Sequence, residues 1–192
     1  MSVKIEIPEI EIKFSEYLKK LFSGKEESLF FESIINECSP YIFGGLIKDF
    51  ILGNENEHRD IDIVVDKISN KLKERIASYI VKKNQFGGLK LQVNDKIIDF
   101  WEIGKTWAIS KERPLHKNYS EYLPSTSFFN VTAIIYSIKE EKFIMDQSFP
   151  KFLKSKTLGI VYEDNPYPEL CIVKTYEFHT KYDLKISENF TI

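Results

Sequence analysis

The stretch Phe43-Gly44-Gly45-Leu46-Ile47-Lys48-Asp49-Phe50-Ile51-Leu52-Gly53, followed after a polar loop by Asp60-Ile61-Asp62-Ile63-Val64-Val65-Asp66, decides how this chain folds. In an extended segment side chains alternate, so Ile61, Ile63 and Val65 share a face fit for burial while Asp60 and Asp62 share the other. Two ionised carboxylates on one face repel. A divalent cation removes that cost, because carboxylate oxygens are hard ligands suited to Mg²⁺. A solvent-facing acidic strand shows the same pattern, so the surroundings of the pair carry the argument. Upstream, Tyr41 to Phe43 reads as a short buried strand, and Gly44-Gly45 lead directly into a run of helical periodicity that closes at Gly53. Without a Cβ, glycine lets the backbone approach a ligand closely. The first amides of the helix lack helical partners, and the helix dipole favours an anion there. Lys48, in the first turn, adds a positive charge, and a triphosphate suits the combination.

Outward from this centre, residues 1 to 13 read as extended around Pro8, and 14 to 37 as helix, broken near Gly24 and stopped by Ser39-Pro40. Residues 69 to 83 read as a helix with Leu72, Ile76 and Ile80 on one side. Leu89 to Val93 and Lys96 to Trp101 are strands joined by a tight Asn94-Asp95 turn. Residues 104 to 126 are irregular, 128 to 138 stand open between helix and strand, 143 to 145 form a short strand, and 168 to 181 a final helix. This order implies an α+β fold (an α/β mixed sheet flanked by helices). It divides into an N-terminal helical segment over 1–40, a core over 41–146 and a C-terminal helical extension over 147–192, all in one domain. Asp99 lies within the apolar strand Ile97-Ile98-Asp99-Phe100-Trp101. If that strand lies beside Asp60 and Asp62, Asp99 is a third carboxylate; if not, it belongs to the polar face of an edge strand.

The string from Gly44 to Gly53, followed by Arg59-Asp60-Ile61-Asp62-Ile63, resembles the head-domain signature of class II CCA-adding enzymes and bacterial poly(A) polymerases, within the polymerase-beta-type nucleotidyltransferases. Weaker likeness continues through Gly87 to Leu91, Ile98 to Trp101, Phe128 to Ala133 and Glu163 to Pro166. The resemblance implies a polymerase-beta-like fold. It also implies transfer of a nucleoside monophosphate from a nucleoside triphosphate to an acceptor, an RNA end, a protein hydroxyl or a small molecule, with pyrophosphate leaving. On that likeness Asp60, Asp62 and Asp99 hold two Mg²⁺ ions (or Mn²⁺) and are the catalytic residues. Gly44, Gly45, Lys48 and Arg59 bind the triphosphate. Departures stand beside the matches. Lys48 replaces a family arginine and loses its bidentate fork. Thr126, Ser127 and Phe128 stand where the family has two arginines and an aspartate. Pro168 and Cys171 replace two further arginines, with Lys174 keeping a charge at a third. A catalytically idle relative that binds nucleotide or a protein through the same cleft is the alternative these losses motivate.

Composition bounds the rest. A 192-residue chain with 43% hydrophobic residues has enough for an ordinary core. A net charge of −2 provides no basic excess, so any contact with RNA rests on a local patch. Cys38 and Cys171 are far apart and read as reduced core thiols. His58, His116 and His179 form no zinc pattern, and Trp101 and Trp107 read as packing residues. No signal peptide and no span of membrane length are expected, with a cytoplasmic setting as the default.

Overall fold

A computed structural model describes residues 7–54, 60–84, 87–112 and 118–188. In chain order the elements are α1 (Ile7–Leu21), α2 (Lys25–Glu37), β1 (Pro40–Phe43), α3 (Gly44–Ile51), β2 (Ile61–Val65), α4 (Asn70–Arg75), β3 (Ile80–Lys83), β4 (Leu89–Val93) and β5 (Lys96–Glu102). They continue with α5 (Trp107–Glu112), α6 (Tyr119–Tyr122), β6 (Ile134–Ser137), β7 (Lys142–Met145), α7 (Ser148–Ser155), β8 (Thr157–Leu158), α8 (Pro168–Tyr182) and β9 (Lys185–Ile186). Seven strands form a mixed sheet in the order β3-β4-β5-β2-β1-β6-β7. Only β2 and β5 run parallel in it; every other neighbouring pair is antiparallel. The expected mixed sheet flanked by helices is the observed architecture.

The alternation read from the sequence sets the two faces of the sheet. Ile42, Ile63, Ile98 and Phe100 are fully buried on one face, against Phe14 of α1, Phe30 and Ile34 of α2, Ile47 of α3 and Leu72 of α4. The same cluster extends to Phe178 of α8 and to Leu184. The other face is only partly covered. Val64 and Ile135 pack there with Ile109 of α5 and with Leu123, and beyond them the carboxylates of β2 and β5 line an open cleft.

Three expectations are revised. Residues 7 to 13 are helical rather than extended, because Pro8 falls in the first turn of α1, where its missing N–H costs nothing. That register lets Ile7, Phe14, Leu18 and Leu21 meet the core. The segment 69–83 is not one helix. Ser69 caps α4 by accepting from the Leu72 amide, the helix ends at Arg75, and Ile80 pairs with Leu91 as the start of an edge strand. The Ile76–Ile80 spacing fits a helix, but pairing to β4 prevails over local preference. Within 104–126 the chain forms α5, α6 and a short 3₁₀ turn over Leu123–Thr126. The Asn94-Asp95 turn is confirmed, with Asn94 in the left-handed region at φ 52°. Among the described residues, no helix is long and apolar enough to cross a membrane.

Candidate active site

The site forms where three strands place polar residues in one row. β5 runs parallel to β2 with Asp62 opposite Asp99. β4 returns antiparallel to β5 with Lys90 opposite Asp99. Neighbouring strands lie about 4.8 Å apart, so Lys90, Asp99 and Asp62 stand side by side on one face. The question of whether Asp99 joins the Asp60 and Asp62 strand is answered by this register. Opposed carboxylates on adjacent strands repel, and the ammonium of Lys90 offsets part of that repulsion. Its Nζ donates to Asp60 Oδ2 at 2.6 Å and lies 3.1 Å from both oxygens of Asp99. The hydrogen bond to Asp60, and then that to Asp99, raises the Lys90 pKa above its ordinary value against the opposing effect of burial. Asp60 and Asp99 thus converge on a single cationic centre.

The glycine turn faces the same place. β1 pairs antiparallel with β2, Ile42 opposite Ile63, so the end of β1 arrives beside the start of β2. α3 begins at Gly44 immediately after β1, with no side chain capping its first turn. A Cβ at Gly45 would lie 3.5 Å from Asp62 Oδ2, which measures how closely the turn meets the carboxylate. A Cβ at Gly44 would stand 2.2 Å from the backbone oxygen of Thr132. Gly44 is therefore required by close packing of two backbones, whereas at Gly45 a side chain would meet the Asp62 carboxylate at ordinary contact distance.

Lys48 is placed away from the cleft, in the surroundings of a buried ion pair. Its side chain is 1% exposed. Nζ bonds Asp49 Oδ1 at 2.5 Å and the Tyr182 hydroxyl at 2.5 Å, and it lies over the rings of Phe178 and Tyr182. The i+3 position from Gly45 turns this side chain into the core against α8 instead of toward the cleft. Arg59, the remaining expected triphosphate contact, and His58 beside it lie outside the described residues, as does His116.

The cleft has a volume of about 740 Å³, with Asp62 and Asp99 among its lining residues. Trp101, Trp107 and Phe128 line one part, and Tyr167, Leu170 and Lys174 of the C-terminal region another. Trp107 is 45% exposed, so it is not a core residue. Phe128 and Trp101 are half-buried at the same wall. A rim network ties α5 to the segment before α8. Tyr122 donates to Glu112, and Lys111 pairs with Asp164. The hydrogen bond from Tyr122, and then one from Tyr162, holds the Glu112 carboxyl below its ordinary range, while Glu112 pushes the Tyr122 hydroxyl up to about 12.

Lys90 is the residue that sequence reasoning missed. Its signal was the pairing of Leu89–Val93 with the Asp99 strand through a tight turn, which puts Lys90 opposite Asp99 once the hairpin register is counted. Among the described residues, no three His, Cys, Asp or Glu side chains are arranged to hold a metal ion. The donor set still suits a hard divalent cation, since the carboxylates of Asp60 and Asp99 already surround a positive charge and Asp62 adjoins Asp99.

The poly(A) polymerase head-domain family model matches residues 40–146. No curated protein matches the chain. Among solved structures, a CCA-adding enzyme with CTP superposes with a TM-score of 0.66 at 17% identity, covering 96% of this chain and 44% of that one. A Thermotoga maritima CCA-adding enzyme complexed with tRNA-CCA gives 0.62 at 18% identity, covering 98% and 44%. A tRNA nucleotidyltransferase with a primer tRNA and an incoming ATP analogue gives 0.60 at 18%, covering 83% and 46%. At such identities the likeness is one of fold, and the chain spans less than half the length of each of these structures.

Proposed function

Since the chain belongs to the poly(A) polymerase head-domain family, we propose that it is a metal-dependent nucleotidyltransferase that moves a nucleoside monophosphate from a nucleoside triphosphate to a hydroxyl acceptor. The observation that carries this reading is the row Asp62–Asp99 across the parallel strand pair, with the Gly45 turn against Asp62. In this reading residues 41–146 are the catalytic core and 147–192 the start of a neck. The acceptor oxygen forms a bond to the α-phosphorus, the bond from that phosphorus to the bridging oxygen of the β-phosphate breaks, and pyrophosphate leaves. Asp99 takes the acceptor proton. Asp60 and Asp62 would hold a divalent cation, and the first amides of α3 donate to phosphate oxygens. Divalent ions bound there, Mg²⁺ or Mn²⁺, would neutralise charge on the attacking and leaving oxygens. Trp107 and Phe128, in the cleft wall, offer ring faces for the base.

An RNA end is the favoured acceptor, because the tRNA nucleotidyltransferase that shares the fold is bound to a primer tRNA. Incubation with each labelled triphosphate, Mg²⁺ and total RNA or lysate protein identifies the acceptor. Label appears with the native chain and vanishes with Asp60→Ala combined with Asp62→Ala. Absence of transfer to any RNA, protein or small molecule with all four nucleotides would remove the enzymatic reading. One observation favours a second reading, an idle nucleotide-binding relative: the ammonium of Lys90 sits on two of the three carboxylates. Mg²⁺-dependent nucleotide binding without turnover is its signature.

A further inference from the structure

We propose that Lys90 is a built-in competitor for the divalent cation: its ammonium holds the cation position between Asp60 and Asp99, and a metal ion enters by displacing it. The inference rests on the nucleotidyltransferase reading for its purpose, but its evidence is geometric. Lys90 is fixed opposite Asp99 by the β4–β5 hairpin. Its Nζ is held by one oxygen of Asp60 and straddles both oxygens of Asp99. Those contacts are the ones a hard cation would take. The side chain is 34% exposed, so the ammonium has solvent to swing into when it is displaced. A lysine released beside the carboxylates would then face the phosphates of a nucleotide arriving with its metal. Loading of metal and nucleotide would in this way favour each other, and a cleft without nucleotide would keep its own counter-ion.

Lys105 supplies the control. It also lines the cleft, but it pairs with Glu102 at 2.5 Å and not with Asp60 or Asp99. The experiment is a Mn²⁺ titration of the whole chain without nucleotide, read by electron paramagnetic resonance, for the native protein and for Lys90→Met, Lys90→Gln, Lys90→Arg and Lys105→Met. Removing the positive charge that competes for the same carboxylate oxygens is expected to tighten Mn²⁺ binding about tenfold or more. Lys90→Met and Lys90→Gln show that gain, whereas Lys90→Arg and Lys105→Met stay at the native affinity. Equal affinity in native and Lys90→Met or Lys90→Gln overturns the proposal. So does a gain in Lys105→Met as large as theirs, which would reduce the effect to net charge, and so does the lack of Mn²⁺ binding in every variant. Label transfer separates the two claims. A chain that binds Mn²⁺ in the expected pattern yet transfers nothing loses the reaction and keeps the competition. A chain that transfers label while Lys90→Met and Lys90→Gln bind no tighter does the reverse.

Discussion

Replacing Lys48 by methionine tests whether this lysine braces the fold or serves the nucleotide. Its ammonium is buried between Asp49 and Tyr182, and Tyr182 also donates to Asp49 Oδ1 at 2.5 Å. Methionine removes the charge that pairs with the 4%-exposed Asp49 side chain. Breaking a buried pair from one side costs about 3–5 kcal/mol, since the remaining charge is uncompensated. The Tyr182 hydroxyl still serves Asp49, which puts the expected loss at the lower end, about 3 kcal/mol. For a chain of this length a kcal/mol is worth roughly 2–4 °C, so the melting temperature falls by about 6–12 °C. Tyr182→Phe removes one hydroxyl while the ion pair stays, and costs less, about 1–3 kcal/mol. Thermal melts give the stabilities, and titration with a fluorescent nucleotide analogue below the transition gives the affinity. The reasoning predicts a large loss of stability with nucleotide affinity close to native in the folded fraction. A Lys48→Met protein that melts within about 2 °C of native while losing nucleotide affinity would refute it and return Lys48 to the triphosphate.

The two glycines of the turn should separate in the same pair of assays. Gly44→Ala drives a methyl into the Thr132 backbone and is expected to cost about 1–3 kcal/mol or more, as overpacking does. Gly45→Ala meets only Asp62 Oδ2 at an ordinary contact distance, so it keeps its melting temperature but weakens nucleotide and metal binding. Glu27 carries a pH signature. The side-chain hydrogen bond from Asn94 holds its folded pKa below the ordinary 4.5, so its contribution is present above that pH and is lost as pH falls through the folded value. Denaturant melts should show Glu27→Gln less stable at neutral pH, with a shallower loss than native below pH 4.5; parallel acid limbs would count against the Asn94 contact.

The convergence of the strands was legible because period-2 alternation is a strong constraint. Ile61, Ile63 and Val65 read as buried and are buried, and Asp62 follows onto the opposite face. What alternation does not encode is which strand lies next to which. Asp99 therefore stayed open between a third ligand and an edge residue until the β2–β5 pairing placed it opposite Asp62. Lys90 was legible only by counting the hairpin, since a lysine in an alternating strand looks like any solvated position until the Asn94-Asp95 turn sets it opposite Asp99. The burial of Lys48 was not legible, because a helical lysine is ordinarily exposed. Its partner Tyr182 is 134 residues away, and no local pattern announces that contact. The helix expected over 69–83 shows the same limit, because Ile80 satisfies a helical period and a strand partner equally well.

The fold also explains how repelling groups come to share a spot. A one-residue slip of β2 against β5 would separate Asp62 from Asp99, but it would turn Ile61, Ile63 and Val65 toward the cleft and bury Asp62 in their place. Each buried aliphatic side chain contributes about 1.5–3 kcal/mol. A pair of like charges facing across strands costs only about 0.2–1 kcal/mol. The apolar face therefore outweighs the acidic one several-fold, and the register holds whatever the carboxylates prefer. Such a local conflict, kept in place by packing on the far side of the same strands, is where a sheet is expected to carry function. Lys90 reduces the conflict without abolishing it, because its ammonium reaches Asp60 and Asp99 from β4 and carries a single positive charge. Removing that ammonium should therefore sharpen the conflict between Asp60 and Asp99 without moving the register of β2 against β5.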